Sequence, residues 1–363
     1  MSNMYTETTK KFNLHLKWNH TDKEAYLYDK KDCAAVQCKL CPRKCFIQNG
    51  DVGFCKVRKN INGILYALSY GLATHVTVEK IETEAVFHYL PGADILSLGN
   101  FGCNLDCDYC QNWKYSQFQY TDPAVINKYT SDDIIKIALE NDIKILSWTY
   151  NDPAVWFEFV IDTAKKAKKY GIKSLFKSAF YLTEEAVEEL CEVIDVFAIS
   201  IKAMDENYYK QFTKGTLPPV LRNAEIIAGK NIHFEVSNLV VTNLTNNIEA
   251  YDKMIDFVLN KLSVDIPLHF TRFHPDYKYT HVGKTPIEDV NAARMRALNK
   301  GLRYAYIGNA FAGDGLNTYC PMCKELLIER FGLHSYVKKS VGQDGTCKKC
   351  GYSTNIFLGN THE

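Results

Sequence analysis

One stretch of the chain limits its fold and chemistry more than any other. Cys103, Cys107 and Cys110 follow the spacing C-x3-C-x2-C, directly after the apolar run 95–98. Three thiolates this close can each reach a different corner of one small metal cluster. A [4Fe-4S] cluster takes four cysteines, so this loop leaves one iron open, much as a catalytic zinc keeps one position free. A structural zinc site is the alternative, but it needs a fourth ligand, and the loop holds none.

The stretch resembles the cluster loop of the radical S-adenosylmethionine (SAM) superfamily, in which an aromatic residue stands just before the last cysteine, as Tyr109 does here. A wider set of motifs resembles one branch, the radical SAM enzymes of the AmmeMemoRadiSam system, which are relatives of the pyruvate formate-lyase activating enzymes. Those motifs lie at 70–71, 87–92, 102–105 and 110–113. The resemblance runs from about residue 38 to residue 350. It implies a [4Fe-4S] cluster on the three cysteines and bound SAM, with Tyr109 among the cofactor contacts.

Strand and helix patterns alternate through the middle of the chain, which predicts an α/β fold. Apolar strands are predicted at 95–98, 143–148, 174–176, 196–201, 232–241, 268–273 and 304–307. Helices are predicted between them at 154–169, 183–192, 220–228, 247–260 and 287–300. Repeated units of this kind demand a parallel sheet covered by helices, and the resemblance implies a partial (β/α) barrel. In parallel barrels the chemistry gathers at the carboxyl ends of the strands.

Eight further cysteines form two sets of four, one on each side of the predicted barrel. The first set is Cys38, Cys41, Cys45 and Cys55. It is large enough to close a site, and zinc and an auxiliary iron-sulfur cluster are both compatible with it. The second set is Cys320, Cys323, Cys347 and Cys350. Its two C-x2-C knuckles predict a zinc-ribbon-like module, because this spacing favours zinc. We therefore predict three regions, 1–92, 93–312 and 313–363.

Charge and hydropathy exclude some classes of partner and location. The 43 basic and 42 acidic residues leave a net charge of +1, which gives no case for binding nucleic acid or an anionic membrane. No run approaches eighteen apolar residues and the first residues lack an apolar signal core, so we predict a cytoplasmic protein. In a reducing compartment, close-set cysteines bind metal more often than they form disulfides.

Residues at the predicted strand ends are candidates for holding SAM. Asn151 and Asp152 stand where the family reads Tyr-Asn-Glu-Pro, an element that contacts the methionine ammonium. Asp152 before Pro153 is also an ordinary helix N-cap. Lys202 matches a family lysine that lies near the SAM carboxylate. His274 matches a later motif and is implied to touch the adenosyl group or the substrate.

Three departures from the family pattern mark a divergent member. Asp152 replaces the usual glutamate, Ser200 stands where aspartate is usual, and 177–179 reads Lys-Ser-Ala instead of Thr-Asn-Gly. We therefore expect a substrate different from that of typical family members.

The leading hypothesis is a radical SAM enzyme that reductively cleaves SAM at a [4Fe-4S] cluster. The resulting 5′-deoxyadenosyl radical would abstract hydrogen from a small-molecule or peptide substrate, and a reductant such as flavodoxin or ferredoxin would supply the electron. One alternative is an activase that installs a glycyl radical on a partner protein. An alternative of another class is a non-catalytic iron-sulfur or zinc electron carrier or scaffold, but the candidate SAM-binding residues argue against it.

Overall fold

An eight-stranded sheet forms the centre of the fold in the computed structural model, which describes residues 23–359. Its strands are His75–Lys80 (β1), Asp94–Gly99 (β2), Ile145–Thr149 (β3), Lys173–Ser178 (β4), Val196–Ser200 (β5), His233–Val240 (β6), Leu268–Arg272 (β7) and Ala305–Gly308 (β8). Their order in the sheet is their order in the chain. β1 is antiparallel to β2, and every later pair is parallel. β1 and β8 form the two edges, so the sheet is a partial barrel, as predicted.

Six helices of eight or more residues cover the sheet in the described part of the chain. They are Ser131–Glu140 (α1), Phe157–Ala167 (α2), Glu184–Cys191 (α3), Pro218–Ala228 (α4), Ile248–Phe257 (α5) and Ile287–Asn299 (α6). The predicted strands and helices are confirmed, with ends that differ by a few residues. Thr183 and Asn247 cap α3 and α5 by accepting hydrogen bonds from backbone N–H groups. Helix α1, which was not predicted, begins with a capping box between Thr130 and Asp133.

The strands are buried on both faces, which is why their sequences are almost continuously apolar. All five residues of β3 are buried, because the helices cover the outer face and further side chains fill the inside. Trp148 of β3 meets Trp156 edge to face, with 5.8 Å between ring centroids. No helix within residues 23–359 is both long and apolar enough to cross a membrane.

The N-terminal region packs on the outside of the barrel. Its short strands are Tyr28–Lys30, Val36–Cys38, Phe46–Ile47, Arg58–Ile61 and Ile64–Ala67. Arg58 forms an ion pair with Glu158 of α2, and each side chain is only 1% exposed. Glu158 also accepts a hydrogen bond from the backbone of Tyr26, at 2.8 Å. A buried charge pair of this kind fixes the position of the N-terminal region against the barrel, because separating it leaves a charge without a partner.

The C-terminal region is a small antiparallel sheet joined to the segment before β2. Its strands are Thr318–Tyr319 (β9), Leu326–Phe331 (β10) and His334–Val337 (β11). Arg330 is buried and donates hydrogen bonds to the carbonyl oxygens of Leu316 and Phe87, at 2.8 and 2.6 Å. The division into three regions remains a prediction. Its residues 1–22 and 360–363 lie outside the described residues, and β1 joins the barrel sheet although it precedes residue 93.

A buried histidine in this junction makes stability depend on pH. Burial lowers the pKa of His88 to about 3, while its ring contacts Tyr306 Oη at 2.6 Å and the side chain of Asn355. The unfolded chain binds a proton at His88 below pH about 6.5 and the folded chain does not. We therefore expect the free energy of unfolding to fall as pH drops from about 6.5 towards 3, by up to about 1.4 kcal/mol per pH unit from this group.

Urea unfolding at pH 7.5 and pH 5 measures this slope. We expect His88→Gln to show a shallower dependence, whereas the exposed control His281→Gln keeps that of the wild type. An unchanged slope in His88→Gln would contradict the assignment to His88.

Candidate functional site

A cavity of about 970 Å³ lies at the carboxyl ends of the parallel strands. Thr149, Ser178 and Arg272 line it, and they end β3, β4 and β7 respectively. This is the face at which a parallel barrel carries its chemistry. The cavity therefore lies where the order of strands predicted a site.

The loop after β2 brings three cysteines to the wall of this cavity. Cys103, Cys107 and Cys110 all line it. The sulfur of Cys103 accepts a hydrogen bond from the backbone of Leu105 at 3.3 Å, and the sulfur of Cys110 lies 3.2 Å from Ser116 Oγ. A turn between Cys107 and Cys110, closed by a backbone hydrogen bond of 3.1 Å, sets their spacing. The loop thus presents three thiols, and it contains no fourth cysteine.

Burial keeps these thiols protonated in the absence of metal. It raises the pKa of Cys107 to about 12, and the nearby ammonium of Lys202 opposes this shift. Burial also raises the pKa of Cys103 well above the usual value, and the Asp152 carboxylate adds to the effect. Because iron binds the thiolate, loading a metal here displaces protons, and the metal's positive charge offsets the cost of burying the sulfurs.

Two glycines allow the cysteine loop to pass close to its neighbours. A Cβ atom at Gly102 would lie 2.7 Å from the backbone oxygen of Cys55, and the φ of +83° also favours glycine. A Cβ atom at Gly99 would lie 2.6 Å from the ring of Tyr150. Any larger side chain at either position has to push backbone or a packed aromatic ring away from the loop.

Asp152 lies in the cavity wall, only 2% exposed, and already accepts three hydrogen bonds. Oδ1 accepts from the backbone of Ala154 at 3.0 Å and from Ser178 Oγ at 2.8 Å, and Oδ2 accepts from the backbone of Ala179 at 3.0 Å. The first of these bonds is the N-cap predicted from the sequence. Oδ2 keeps acceptor capacity for a ligand, so capping and ligand binding are compatible in one side chain.

Asn151 is held against the cysteine loop. Its Nδ2 donates to the backbone oxygen of Gly102 at 2.6 Å, and its Oδ1 accepts from the backbone of Asn100 at 3.3 Å. These two hydrogen bonds join the end of β3 to the loop after β2. Both ends of the Asn151 amide serve this link, which leaves the neighbouring Asp152 as the better placed acceptor for a cation.

The other three candidate cofactor contacts also line the cavity. Lys202 is half-buried two residues after β5, and its ammonium acts on the nearby Asp152 carboxylate through charge. His274 is exposed at the rim, two residues after β7. Tyr109 is buried, and its ring centroid lies 6.0 Å from that of Tyr208. The structure thus brings all the predicted cofactor contacts to the wall of one cavity.

The structure adds cavity residues that were not predicted as site residues. Glu84 is buried and pairs with Lys177 at 3.3 Å, while Tyr150 Oη donates to Glu79 at 2.8 Å. The turn between β10 and β11, residues 331–334, reaches the cavity from the C-terminal region, and Phe311 beside it is 94% exposed. Both glutamates lie in the mixed polar and apolar segment 78–86, which gave no local signal of a site. Nothing local indicated that the C-terminal turn would return to the barrel.

The four C-terminal cysteines form a compact metal-binding geometry. Within residues 23–359 they are the one group of three or more His, Cys, Asp or Glu residues whose ligand atoms all lie within 4.8 Å of one another. The Cys320 and Cys350 sulfurs are 3.6 Å apart, and those of Cys323 and Cys347 are 3.7 Å apart. Four sulfurs about 2.3 Å from one zinc ion stand about 3.8 Å apart, so this set can hold one tetrahedral ion.

Loss of this metal should unfold the C-terminal module. We expect Cys347→Ala to lose about one metal ion per chain and to add a separate unfolding transition at lower temperature, because structural metal sites supply much of the folding energy of small modules. Metal analysis and calorimetry measure both effects. Cys33→Ala, an exposed cysteine outside the three sets, is the control and should match the wild type. Full metal content in Cys347→Ala would contradict this prediction.

Comparison with known proteins gives one family match. Residues 99–258 match the radical SAM superfamily. An uncharacterized protein of Methanocaldococcus jannaschii is 39% identical over 336 residues, which cover 93% of this chain and all of that protein. A 4-hydroxyphenylacetate decarboxylase activating enzyme of Clostridium scatologenes is 25% identical over 203 residues, 51% of this chain and 64% of that protein.

One solved structure aligns with part of this chain. It is a radical SAM methyltransferase from Sphaerobacter thermophilus, with a TM-score of 0.49 and 10% sequence identity. The match covers 65% of this chain and 71% of that chain.

Proposed function

Because this chain belongs to the radical SAM superfamily, we propose that it reductively cleaves SAM and uses the product radical on a small-molecule or peptide substrate. The observation that carries the proposal is that Cys103, Cys107 and Cys110 share one cavity with Asp152 and Lys202. Three thiols with no fourth on their loop fit a [4Fe-4S] cluster that keeps one iron open. Such a cluster, when bound, supplies the electron that splits SAM into methionine and a 5′-deoxyadenosyl radical.

The residues around the cysteines would bind and orient SAM. Asp152 would accept from the methionine ammonium through Oδ2, and Lys202 would pair with the carboxylate. His274 at the rim and the buried Tyr109 would contact the adenosyl part. The volume of about 970 Å³ is near the upper end for ligand pockets, which supports a cavity that holds SAM and a second molecule. The surrounding wall would exclude water from the radical.

SAM cleavage tests the proposal directly. The chain is reconstituted anaerobically with iron and sulfide, reduced with dithionite and given SAM, and 5′-deoxyadenosine is measured by chromatography. We expect its formation to require SAM, reductant and iron together. No 5′-deoxyadenosine above a protein-free control would overturn the proposal.

The charge of Lys202 should matter for SAM binding. We expect Lys202→Ala to raise the KM for SAM about tenfold or more, because hydrogen bonds to charged groups contribute about 1.5–3 kcal/mol. Initial rates of 5′-deoxyadenosine formation across SAM concentrations give this value. Lys230→Ala removes a lysine whose partner is Glu188, and it should leave KM unchanged. Equal KM values for the two variants would exclude Lys202 as a SAM contact.

A second candidate function is activation of a partner protein by installing a glycyl radical. The similarity to an activating enzyme supports it, although the match spans less than two thirds of that protein. Electron paramagnetic resonance distinguishes the two candidates. A glycyl radical on a co-incubated partner supports the activase, whereas product formation from a small molecule or peptide supports the first candidate.

The remaining expectations from the sequence stay predictions. They are the AmmeMemoRadiSam branch, zinc at the C-terminal site, a reductant such as flavodoxin or ferredoxin, and a cytoplasmic location. Membership of a superfamily of enzymes argues against the non-catalytic carrier or scaffold.

A further inference from the structure

We propose that the four N-terminal cysteines bind a second [4Fe-4S] cluster, ligated entirely by cysteine, and not a single zinc ion. They are Cys38, Cys41, Cys45 and Cys55. Their spacing in the sequence allows either metal, so the choice rests on how the fold arranges the sulfurs and on what surrounds them.

The other two cysteine sets of this chain can be compared with the N-terminal set, one as a site for a single ion and one as a site for a cluster. Around one ion all four sulfurs must stand close together, and the C-terminal set does so, with separations of 3.6 and 3.7 Å. In a [4Fe-4S] cluster each cysteine binds a different iron, so the sulfurs stand further apart. The sulfurs of Cys103, Cys107 and Cys110 do not all lie within 4.8 Å of one another, so they lack the close packing of a single-ion site.

The N-terminal set lacks that close packing too. No three of its four sulfurs all lie within 4.8 Å of one another. The cysteines nevertheless converge. The backbone N–H of Cys38 donates to the oxygen of Cys45 at 3.0 Å, and the sulfur of Cys45 lies 3.8 Å from the Cβ position of Gly53, two residues before Cys55. The cysteines approach one another without the close packing that one ion requires, and this favours a cluster.

The surroundings of the set suit an anionic iron-sulfur cluster. Arg58, only 1% exposed, directs Nη1 to the sulfur of Cys38 at 3.5 Å. Its buried Nε has no hydrogen-bond partner in the described structure. Val57 and Phe101, both fully buried, pack beside Cys55. Hydrogen bonds to the sulfurs and exclusion of water are what tune the reduction potential of such clusters.

The N-terminal cysteine set lies next to the loop that holds Cys103. The backbone oxygen of Cys55 is 2.7 Å from the Cβ position of Gly102, so the two cysteine-bearing loops touch. A cluster with four cysteine ligands has no open iron for SAM. Such a cluster would therefore supply one-electron transfer, taking one electron from a low-potential donor of the ferredoxin or flavodoxin class and passing it to a cluster held by Cys103, Cys107 and Cys110.

Metal analysis of the full chain, purified anaerobically from cells supplied with iron and zinc, tests the proposal. We expect about eight irons, eight sulfides and one zinc per chain. A Cys41→Ala/Cys45→Ala variant should lose about four irons and keep its zinc, whereas Cys320→Ala/Cys323→Ala should lose only zinc. About four irons and two zincs in the wild type would overturn the proposal without need of any variant.

A third variant separates this proposal from the proposed function. With Cys103, Cys107 and Cys110 all changed to alanine, we expect about four irons to remain and to give a reduced-cluster paramagnetic resonance spectrum that SAM does not alter. A chain without iron would overturn the second cluster even if the wild type cleaves SAM. Conversely, four remaining irons would support it even if the wild type forms no 5′-deoxyadenosine.

Discussion

Alanine at Cys103, Cys107 and Cys110 together is expected to abolish SAM cleavage, with 5′-deoxyadenosine falling to the level of a protein-free control. The reason is that these thiols are the only ones in the described chain that line the cavity, so no other sulfur can replace them there. Loss of the cluster removes both the electron and the iron to which SAM would bind. The measurement is the yield of 5′-deoxyadenosine after anaerobic reconstitution and reduction with dithionite.

Cys191→Ala is the matched control for the triple variant. Cys191 lies on α3, partly buried and outside all three cysteine sets. We expect it to give the wild-type yield, which shows that the loss of activity follows the cluster loop and not cysteine in general. A triple variant that still forms 5′-deoxyadenosine at the wild-type rate would remove the basis of the proposed function.

The second large effect is expected at Asp152. Asp152→Asn should raise the KM for SAM about tenfold to a hundredfold, because it removes the negative charge opposite the ammonium. It should also lower the free energy of unfolding by about 1–3 kcal/mol, since an amide NH2 group cannot accept the bonds that Ser178 or Ala179 donates. Steady-state kinetics and urea unfolding measure the two effects separately.

Asp122 offers a close control for this variant. Its Oδ1 accepts from the backbone of Ala124 at 2.9 Å across a proline, as Asp152 does with Ala154 at 3.0 Å, but Asp122 is exposed and outside the cavity. We expect Asp122→Asn to leave KM unchanged. If both variants changed stability and neither changed KM, Asp152 would be a helix cap and not a SAM contact.

Local sequence predicted the strand ends, and the family resemblance selected the candidate site residues at them. Apolar runs such as 143–148 predict the strands, so the residues just after them had to lie at one end of a parallel sheet. The family resemblance then singled out Asn151, Asp152 and Lys202 among these residues, and all three line the cavity. Helix α1 escaped prediction although Thr130 and Asp133 carry a capping pattern, because its apolar face of Ile134, Ile135 and Ala138 is short.

Contacts between distant parts of the chain could not be predicted. Ser178 and Ala179 depart from the family pattern, yet only the fold shows that both donate to Asp152 across neighbouring strands. The pairing of Glu84 with Lys177 depends in the same way on how the segment after β1 packs across the sheet. A single sequence reports which residues are buried or charged, but it does not report which of them meet.

The wall of the cavity is built by two separate parts of the fold, the barrel and the turn at 331–334. The barrel carries the cysteines and the candidate SAM contacts, whereas part of the outer wall comes from a separate sheet next to the C-terminal cysteines. Phe331 and Leu333 project from that sheet and take no part in the barrel core. A substitution in this turn would therefore change the outer wall of the cavity without touching the cysteines or the candidate SAM contacts. Enzyme engineering can exploit the same separation by exchanging this turn alone.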